Sequence, residues 1–258
     1  FIEKGIAAAQ SITKSANSLL WVAEDDRGHG LIVSVGGGYK AIIVSPNGVN
    51  YKNAQYSTIS DAFAFSYQIE GHEFSVFTFP TANATWVYDA VTEQMHQWSS
   101  NINDNPLSRH RANCHAFFNG SHYVGDYNSG KIYTIETDVY SEDGDEIVRD
   151  RIPMHIENGG EDIGGFNAEI LFEAGVGLAT GQGSDPQAML RWSKDGGRTF
   201  GNELWRSVGA VGEYDARAIW RKIGGKFSQW TPWLRVSDPV KWIIKDMILT
   251  PRKKGRDD

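Results

Sequence analysis

The chain has 258 residues, of which 40% are hydrophobic and 22% charged, a balance that predicts a folded globular protein and excludes a disordered one. A formal net charge of −7 excludes the broad basic surface of a nucleic-acid-binding protein, and the single cysteine, Cys114, excludes an internal disulfide and a cysteine-based zinc finger. No apolar run approaches the roughly 20 residues of a membrane-spanning helix, and no signal peptide is expected. The 28 glycines and many aromatic residues favour an all-β fold with frequent turns.

The N-terminal part predicts a β-meander after a short lead-in. Residues 4–17 are small and polar, and we expect either a linker into the first sheet or a strand whose partner is absent from this chain. Residues 18–45 contain three apolar runs separated by glycine-containing turns, which indicates three antiparallel strands. Residues 46–59 are predicted to be a connection that opens with a turn at Pro46-Asn47-Gly48.

A second meander follows, with four strands in about 40 residues, the size of one propeller blade. The predicted strands are 61–69, 73–79, 85–89 and 94–99. In the first of them Phe63, Phe65 and Tyr67 alternate with smaller residues, so the aromatic side chains should share one face of the sheet.

A third unit is predicted after a polar loop at residues 100–110. Its strands are expected at 112–118, 122–127 and 131–137. The segments TWVYDAVT and YVGDYNSGKIY both place an aspartate and a turn after an aromatic strand, and such repetition is typical of a propeller. Residues 1–139 are therefore predicted to be propeller-like, as an incomplete ring, because a closed propeller needs about four blades or more.

Longer strands dominate the C-terminal part. A charged hairpin around Asp143-Gly144 is followed by predicted strands at 166–173, 188–193, 200–207, 215–222, 229–237 and 240–249. Residues 140–250 are interpreted as an antiparallel, β-sandwich-like part, and residues 251–258 as a flexible tail. The predicted fold class is all-β, with β-propeller-like meander blades and an antiparallel β-sandwich-like C-terminal part.

The stretch 190–200, LRWSKDGGRTF, contains the most specific motif of the chain. An Asp-Gly-Gly between two β-prone runs indicates a hairpin, since glycine accepts the positive φ angles of a tight turn. The stretch also matches the pattern S-x-D-x-G-x-T-[WF], the Asp-box, through Ser193, Asp195, Gly197, Thr199 and Phe200. In that resemblance the motif fastens a hairpin away from active sites, so we interpret these five residues as architectural.

Two clusters are weak candidates for metal binding or catalysis. Glu142, Asp143, Asp145 and Glu146 offer oxygen ligands that would suit calcium, but the spacing of an EF-hand is absent and a charged hairpin tip explains them equally. His110, Cys114 and His115 could form a zinc site or a Cys–His pair. Their spacing matches no standard site, so a buried cysteine on a strand is the simpler expectation. We predict no metal, no cofactor and no catalytic residue.

An enzyme or glycan-binding alternative rests on arginines near the Asp-box. Arginine binds carboxylates in a bidentate manner, so a cluster could hold a sialic-acid carboxylate. The candidates are Arg191, Arg198, Arg206, Arg217 and Arg221. A sialidase also needs a Tyr–Glu pair and an acidic proton donor, for which Glu213-Tyr214-Asp215 is the nearest segment. Sialidases usually carry several Asp-boxes, whereas one is found here, so this reading is second to a structural one.

Four segments together resemble a known family. They are DAFAFSYQIEGHEFSVFTFPTANATWVYDAVTEQMHQW (61–98), RANCHAFFNGSHYVGDYNSGKIYTI (111–135), MLRWSKDGGRTFGNELWRSVGAVGEYDARAIWRKIG (189–224) and LRVSDPV (234–240). The chain resembles the packaged-DNA stabilisation proteins, the tail hub or nozzle component, of short-tailed bacteriophages. The resemblance covers roughly residues 18–249.

That resemblance implies a structural, non-enzymatic virion protein. Members form a ring, expected to be a homo-hexamer, below the portal and its adaptor. The ring extends the DNA channel, helps to retain packaged DNA and attaches the tail tip. The implied partners are the portal-adaptor tail protein, tail needle or tailspike proteins, and DNA that passes without specific binding; no membrane is involved. The implied location is the phage tail, with assembly in the host cytoplasm. Loops 100–110, 175–186 and 208–214 are the expected interfaces.

Overall fold

The computed structural model describes residues 4–15, 18–25, 28–35, 40–162, 165–223 and 227–251. The chain divides into two compact units, Phe1–Glu136 and Thr137–Asp258. Antiparallel strands dominate both units, which confirms the all-β prediction. Among the residues described, no helix has the length and apolar character needed to cross a membrane.

The first sheet of the first unit begins earlier than predicted. Its strands are β1 (Gly5–Ile6), β2 (Thr13–Ser15), β3 (Ser18–Asp25), β4 (Gly28–Val35) and β5 (Ala41–Ile43), in the order β1-β3-β4-β5 with β2 also on β3. The prediction for residues 4–17 was wrong, because β1 and β2 both pair with β3. Ser11, in the segment that connects β1 to β2, is held against β3, since its hydroxyl accepts a hydrogen bond from the Val22 amide (2.9 Å).

A short helix, α1 (Asn47–Asn53), lies where a turn and connection were predicted. Pro46 precedes it in an extended conformation, and a proline at a helix start costs nothing because the first amides lack intrahelical partners. The Asn53 amide group donates to the Gly30 carbonyl (2.8 Å), and Val49 is buried. These tertiary contacts fix a helix that is too short to be stable alone.

The second sheet confirms the predicted meander and adds a fifth strand. Its strands are β6 (Phe63–Ile69), β7 (His72–Phe79), β8 (Ala84–Asp89), β9 (Gln94–Ile102) and β10 (Asn105–Arg109), paired in sequence order. The predicted loop 100–110 was wrong, because β9 and β10 form a hairpin there. Its two turn residues, Asn103 and Asp104, have φ angles of 52° and 62°, a conformation that asparagine and aspartate tolerate without a glycine.

The third sheet has the three strands predicted: β11 (Ala112–Phe118), β12 (Ser121–Asp126) and β13 (Ile132–Ile135). The apolar core of the first unit is divided among several clusters rather than collected in one. One cluster contains Leu20, Val22, Phe77 and Phe79, and another contains Tyr67, Val76 and Val87. Separate small clusters are expected where successive sheets pack face to face, because each pair of sheets encloses its own apolar layer.

The second unit contains a small hairpin and two larger sheets. The hairpin consists of β14 (Ser141–Glu142) and β15 (Asp145–Glu146), and its turn residues Asp143 and Gly144 have positive φ angles, as predicted. The remaining strands are β16 (Arg149–Arg151), β17 (Ile156–Glu157), β18 (Phe166–Phe172), β19 (Gln187–Ser193), β20 (Leu204–Ser207), β21 (Ala218–Ile223), β22 (Gln229–Val236) and β23 (Ile244–Pro251).

These strands form a sandwich around one core. One sheet has the order β16-β22-β19-β20 with β17 also on β22, and the other has the order β21-β18-β23. Trp220 and Trp230 are fully buried in the one apolar cluster found among the described residues of this unit, which residues from both sheets form. Strands β20, β21 and β23 begin three to four residues later than predicted, because the preceding positions are mostly irregular and do not pair with a neighbouring strand. Beyond Pro251, the predicted flexible tail lies outside the described residues.

Candidate functional site

The Asp-box residues form one hydrogen-bonded turn after β19. The Asp195 carboxylate accepts hydrogen bonds from the Ser193 hydroxyl (2.5 Å), the Thr199 hydroxyl (2.6 Å) and the amides of Arg198 and Thr199 (both 2.9 Å). The Ser193 hydroxyl in turn accepts from the Gly197 amide (2.8 Å). These contacts, led by those of Ser193 and Thr199, hold the pKa of Asp195 far below its usual range. The aspartate therefore stays charged and engaged within the turn.

Phe200, the last Asp-box residue, lies against the outer surface of the sheet. Its ring meets Trp233 edge-on, with 5.0 Å between the ring centroids. The Arg191 guanidinium stacks on the ring of Trp233, 3.6 Å from the ring centroid, and also pairs with Glu203 (3.9 Å). Arg191 thus contacts Phe200, Trp233 and Glu203, and this packing suits the architectural role that we propose for the motif.

Two turns of the first unit use aspartate in a similar way. At the end of β8, Asp89 accepts hydrogen bonds from the Thr92 hydroxyl (2.7 Å) and the Val91 amide (3.0 Å), and it contacts His72 Nδ1 (2.9 Å). Burial raises the pKa of Asp89, but the hydrogen bonds from Thr92, Val91 and His72 outweigh burial and leave the pKa below its usual value. The carboxylate thus fastens the β8–β9 turn.

The equivalent turn after β12 is built around Asp126. Its carboxylate accepts hydrogen bonds from the Asn128 amide (2.9 Å) and the Ser129 hydroxyl (2.7 Å). Buried Arg111 approaches the same carboxylate (3.4 Å) and donates to the Tyr133 hydroxyl (3.1 Å). The sequence repeat therefore corresponds to a repeated D-x-x-[ST] turn, in which the aspartate holds the turn between two strands. We assign it a structural role.

The histidines of the HRANCH segment do not converge with Cys114. His115 Nε2 lies 2.9 Å from His122 Nδ1 on the neighbouring strand, whereas Cys114 is exposed on the opposite face of β11. The expectation of a buried cysteine was therefore wrong. His110 packs against Trp98 (5.1 Å between centroids), and burial, with a smaller contribution from the Arg111 charge, lowers its pKa to about 4. Sequence reasoning missed His122, because its contact with His115 depends on the register of β11 against β12, which places the two residues on one face of the sheet.

No metal site emerges from the described part of the chain. Glu142, Asp143, Asp145 and Glu146 belong to the hairpin β14–β15, and no group of three or more His, Cys, Asp or Glu side chains is placed to hold an ion. The absence of such a cluster in the described residues gives the calcium and zinc alternatives no structural support.

Three of the five candidate arginines are engaged in separate interactions. Arg217 forms a bidentate pair with Glu169 (2.5 Å), and this pairing, chiefly its hydrogen bonds, raises the pKa of Arg217. Arg206 donates to the carbonyls of Ile219 (3.1 Å) and Trp205 (2.7 Å), and Arg191 stacks on Trp233 as described above. The arginine cluster expected for a sialic-acid site is therefore not formed by these three residues.

One exposed apolar surface of the first unit is a face of the third sheet, which we call the blade face. It contains Cys114, Ala116, Phe118, Tyr123 and Ile132, which alternate with residues that face the second sheet. Phe118 is 71% exposed and Ile132 73% exposed. Large apolar side chains on a continuous sheet face are typical of a surface that another protein segment covers.

A second exposed surface joins two of the predicted interface loops, and we call it the loop surface. The ring of Tyr214 lies against Gly175, where an added Cβ would come within 2.6 Å of the ring, and Gly177 approaches the Val211 backbone similarly. Leu178, Val211 and Tyr214 are 41%, 59% and 76% exposed. The glycines thus allow loops 175–186 and 208–214 to pack together and to present these three side chains. Glu213, a candidate for the enzymatic alternative, instead accepts a hydrogen bond from the Ala210 amide (3.1 Å).

Comparison with protein families gives a match in each unit. The model described as bacteriophage P22 Gp10, β-propeller, matches residues 1–140, and the model described as bacteriophage P22 Gp10, β-sandwich, matches residues 156–247. The chain belongs to the bacteriophage P22 Gp10 family. The predicted resemblance and the propeller-plus-sandwich fold class are both confirmed. The P22 Gp10 family is a family of structural phage proteins, the stabilisation or tail hub proteins.

Comparison with solved structures adds little to this assignment. A mutant of Trypanosoma rangeli sialidase displaying trans-sialidase activity is 9% identical, with a TM-score of 0.28 over 95% of this chain and 60% of that one. A glycoside hydrolase family 43 arabinoxylan arabinofuranohydrolase from Bacillus subtilis is 10% identical, with a TM-score of 0.27 over 97% of this chain and 54% of that one. The chain thus spans less than two thirds of either, and likenesses this weak carry no argument. No curated protein matches the chain significantly.

Proposed function

We propose that this chain is a non-catalytic subunit of a ring in a short phage tail. The ring, a homo-hexamer, lies below the portal and its adaptor, extends the DNA channel, helps to retain packaged DNA and attaches the tail tip through needle or tailspike proteins. The protein works in the virion and is assembled in the host cytoplasm. The observation that carries the proposal is the P22 Gp10 family match over both units.

The charge of the chain supports a passive role towards DNA. A net charge of −7 opposes tight contact with a polyanion, because phosphate binding depends on clustered lysine and arginine. DNA can then move past the subunits without being held at particular sequences. Two of the candidate arginines lie beside carboxylates, since Arg217 pairs with Glu169 and Arg191 lies 3.9 Å from Glu203, which partly offsets their positive charge.

The two exposed apolar surfaces supply candidate interfaces for a ring. A cyclic ring needs heterologous contacts, in which one surface of a subunit meets a different surface of the next. The blade face and the loop surface are different in composition and belong to different units. Their exposed aromatic residues, Phe118 and Tyr214, are of the type that anchors protein interfaces. We therefore expect each surface to be covered in the assembled tail.

Native mass spectrometry tests the proposal directly. The mass of the protein should be measured alone and after addition of the adaptor–portal complex. About six copies bound on the adaptor would support the ring, and a monomer that ignores the adaptor would overturn it. A sialidase assay and a glycan array then decide whether the enzymatic alternative should replace it.

Surface variants identify the faces used. Phe118→Asp and Tyr214→Asp should each reduce ring formation on the adaptor at least tenfold, because they place a charge in an apolar interface. Val91→Asp is the matched control, since Val91 is 60% exposed on the β8–β9 turn and lies outside both surfaces. Equal ring formation by all three variants would show that neither face takes part in the ring.

A further inference from the structure

A cavity of about 460 Å³ opens at one edge of the β-sandwich in the second unit. It lies between the two sheets, where β16 and β22 of one sheet face β18 and β23 of the other. The volume falls within the range of about 300–1,000 Å³ that is typical of small-molecule sites. Its inner wall reaches the core, because Ile170 and Leu234 belong to the buried apolar cluster.

The wall of the cavity is mainly apolar. The aliphatic and cyclic side chains that line it are those of Pro153, Ile170, Pro232, Leu234, Ile244 and Met247. Such a wall favours a hydrocarbon chain over a polar ligand, since burying apolar surface is favourable and burying an unpaired polar group is not.

Two hydrogen-bond donors of the lining lack partners. The Trp242 indole nitrogen is buried and has no hydrogen-bond partner among the described residues. Arg151 lines the cavity and is exposed, and its side chain forms no ion pair or hydrogen bond with any residue that the structure describes. A buried donor without an acceptor is unfavourable, so a ligand oxygen at this position would satisfy the Trp242 group.

Asp150, the one carboxylate among the described lining residues, is already paired. Asp150 receives a bidentate pair from Arg235 (2.7 and 2.8 Å) and a hydrogen bond from the Trp233 indole (3.0 Å). The lining therefore presents one free guanidinium and one free N–H group beside an apolar wall. Its charge complements an anionic head group rather than a cationic one.

We propose that this cavity binds the acyl chain of a carboxylate amphiphile, with the chain against Leu234 and Met247 and the carboxylate towards Arg151 and Trp242. The site is distinct from the blade face and the loop surface, and it does not depend on the proposed role in the tail. The same chemistry can come from a free fatty acid or from an anionic lipid in a bilayer, and the experiment below separates these sources.

Titration of the full chain with decanoate tests the proposal. Calorimetry should show saturable binding, and the indole N–H resonance of Trp242, identified by its loss in Trp242→Phe, should shift as it gains an acceptor. Decyltrimethylammonium, with the same chain and a cationic head, should bind at least tenfold more weakly. Absence of decanoate binding at millimolar concentration, or equal binding of both amphiphiles, would overturn the proposal.

Two variants and one matched control locate the site. Ile244→Trp should fill the mouth of the cavity and weaken decanoate binding at least tenfold, and Arg151→Gln should weaken it about threefold, as expected for a solvent-accessible ion pair. Ile248→Trp is the control, because Ile248 is exposed to a similar extent on the same strand but does not line the cavity (40% against 37% for Ile244). Equal effects of Ile244→Trp and Ile248→Trp would contradict the assignment. Arg151→Gln, on the exposed edge strand, remains informative even where Ile244→Trp fails to fold.

Vesicles distinguish the two sources of the ligand. Co-sedimentation with phosphatidylglycerol vesicles that Ile244→Trp abolishes would indicate a membrane lipid as the source. Decanoate binding without vesicle binding would indicate a free carboxylate amphiphile. Both results support the cavity as an acyl-chain site, whereas vesicle binding that persists in Ile244→Trp and is not accompanied by decanoate binding would refute it.

Discussion

The two units of this protein are stabilised in different ways. Of the 16 buried polar or charged side chains among the described residues, 13 lie in the first unit, where several of them join neighbouring strands. One example is the hydroxyl chain from Thr13 to Ser66 (2.8 Å) and on to Ser75 (2.9 Å). The second unit instead fills the space between its two sheets with one apolar cluster.

This difference follows from the architecture of each unit. Sheets that are covered one by the next leave only small apolar clusters between them, so polar pairs with fixed geometry must specify how they fit. A sandwich closes a single continuous core, in which volume rather than hydrogen bonding decides the fit. We therefore expect the first unit to be sensitive to pH and to loss of single hydrogen bonds, and the second to cavities.

The largest expected effect comes from a cavity in the second unit. Trp220→Ala should lower the free energy of unfolding by about 3–5 kcal/mol, because it empties the centre of the core. It also leaves the Leu204 carbonyl without the indole that donates to it (2.7 Å). Chemical denaturation measures the change. Trp205→Ala, at a position that is 44% exposed, is the control and should cost much less; similar losses would contradict a single apolar core.

The next effect concerns pH and the first unit. Burial, with the nearby Arg111 charge, lowers the pKa of His110 from 6.5 to about 4, so the unfolded chain binds a proton more readily than the folded one. The stabilisation is fully present above pH 6.5 and is lost as the pH falls towards 4, by up to about 3 kcal/mol. Burial and, secondly, His122 also lower the pKa of His115, so protonation of His115 likewise destabilises the folded state as the pH falls.

Unfolding curves at several pH values measure this slope. His110→Gln should flatten the stability profile between pH 6.5 and 4, because glutamine does not titrate. The matched control is His155→Gln in the second unit, which replaces a half-exposed histidine in the same way and so reports the effect of the substitution itself. A profile that retains its slope in His110→Gln would show that other groups determine the acid sensitivity.

A pair of isosteric substitutions compares the two units directly. Thr85→Val should cost about 1–2 kcal/mol, because the Thr85 hydroxyl accepts a hydrogen bond from the His110 amide (3.1 Å) and contacts the Thr78 hydroxyl (3.2 Å). Thr231→Val should be neutral or stabilising, because the buried Thr231 hydroxyl has no partner among the described residues. Thermal unfolding measures both, and the reverse order would contradict the contrast between the units.

The smallest expected effect is local and lies in the Asp-box turn. Asp195→Asn weakens the hydrogen bonds to the Arg198 and Thr199 amides, so these amides should exchange with solvent faster while the global unfolding transition barely moves. Hydrogen exchange measures the change, with Asp215→Asn as the control at an exposed position. A large global loss of stability would show that the turn supports more of the unit than its own loop.

The sequence predicted the strands that alternate clearly and are bounded by glycine, such as β6, β7 and β8. It missed β10, because Asn103 and Asp104 form a two-residue turn without glycine, and it missed α1, because a seven-residue helix has little intrinsic stability. The Asp-box could be identified because its contacts join residues at most four apart. The blade face and the loop surface could not, since exposure depends on which strands and loops become neighbours.

Residue order alone determined the all-β class, the aspartate turns and the resemblance to a phage tail family, because these depend on local periodicity and on contacts within a few residues. Tertiary structure decided the rest. It separated the arginines that a sialidase would bring together, exposed Cys114 and Phe118, and left Trp242 beside an open cavity. These outcomes depend on the packing of segments far apart in the chain, and neither composition nor spacing contains that information.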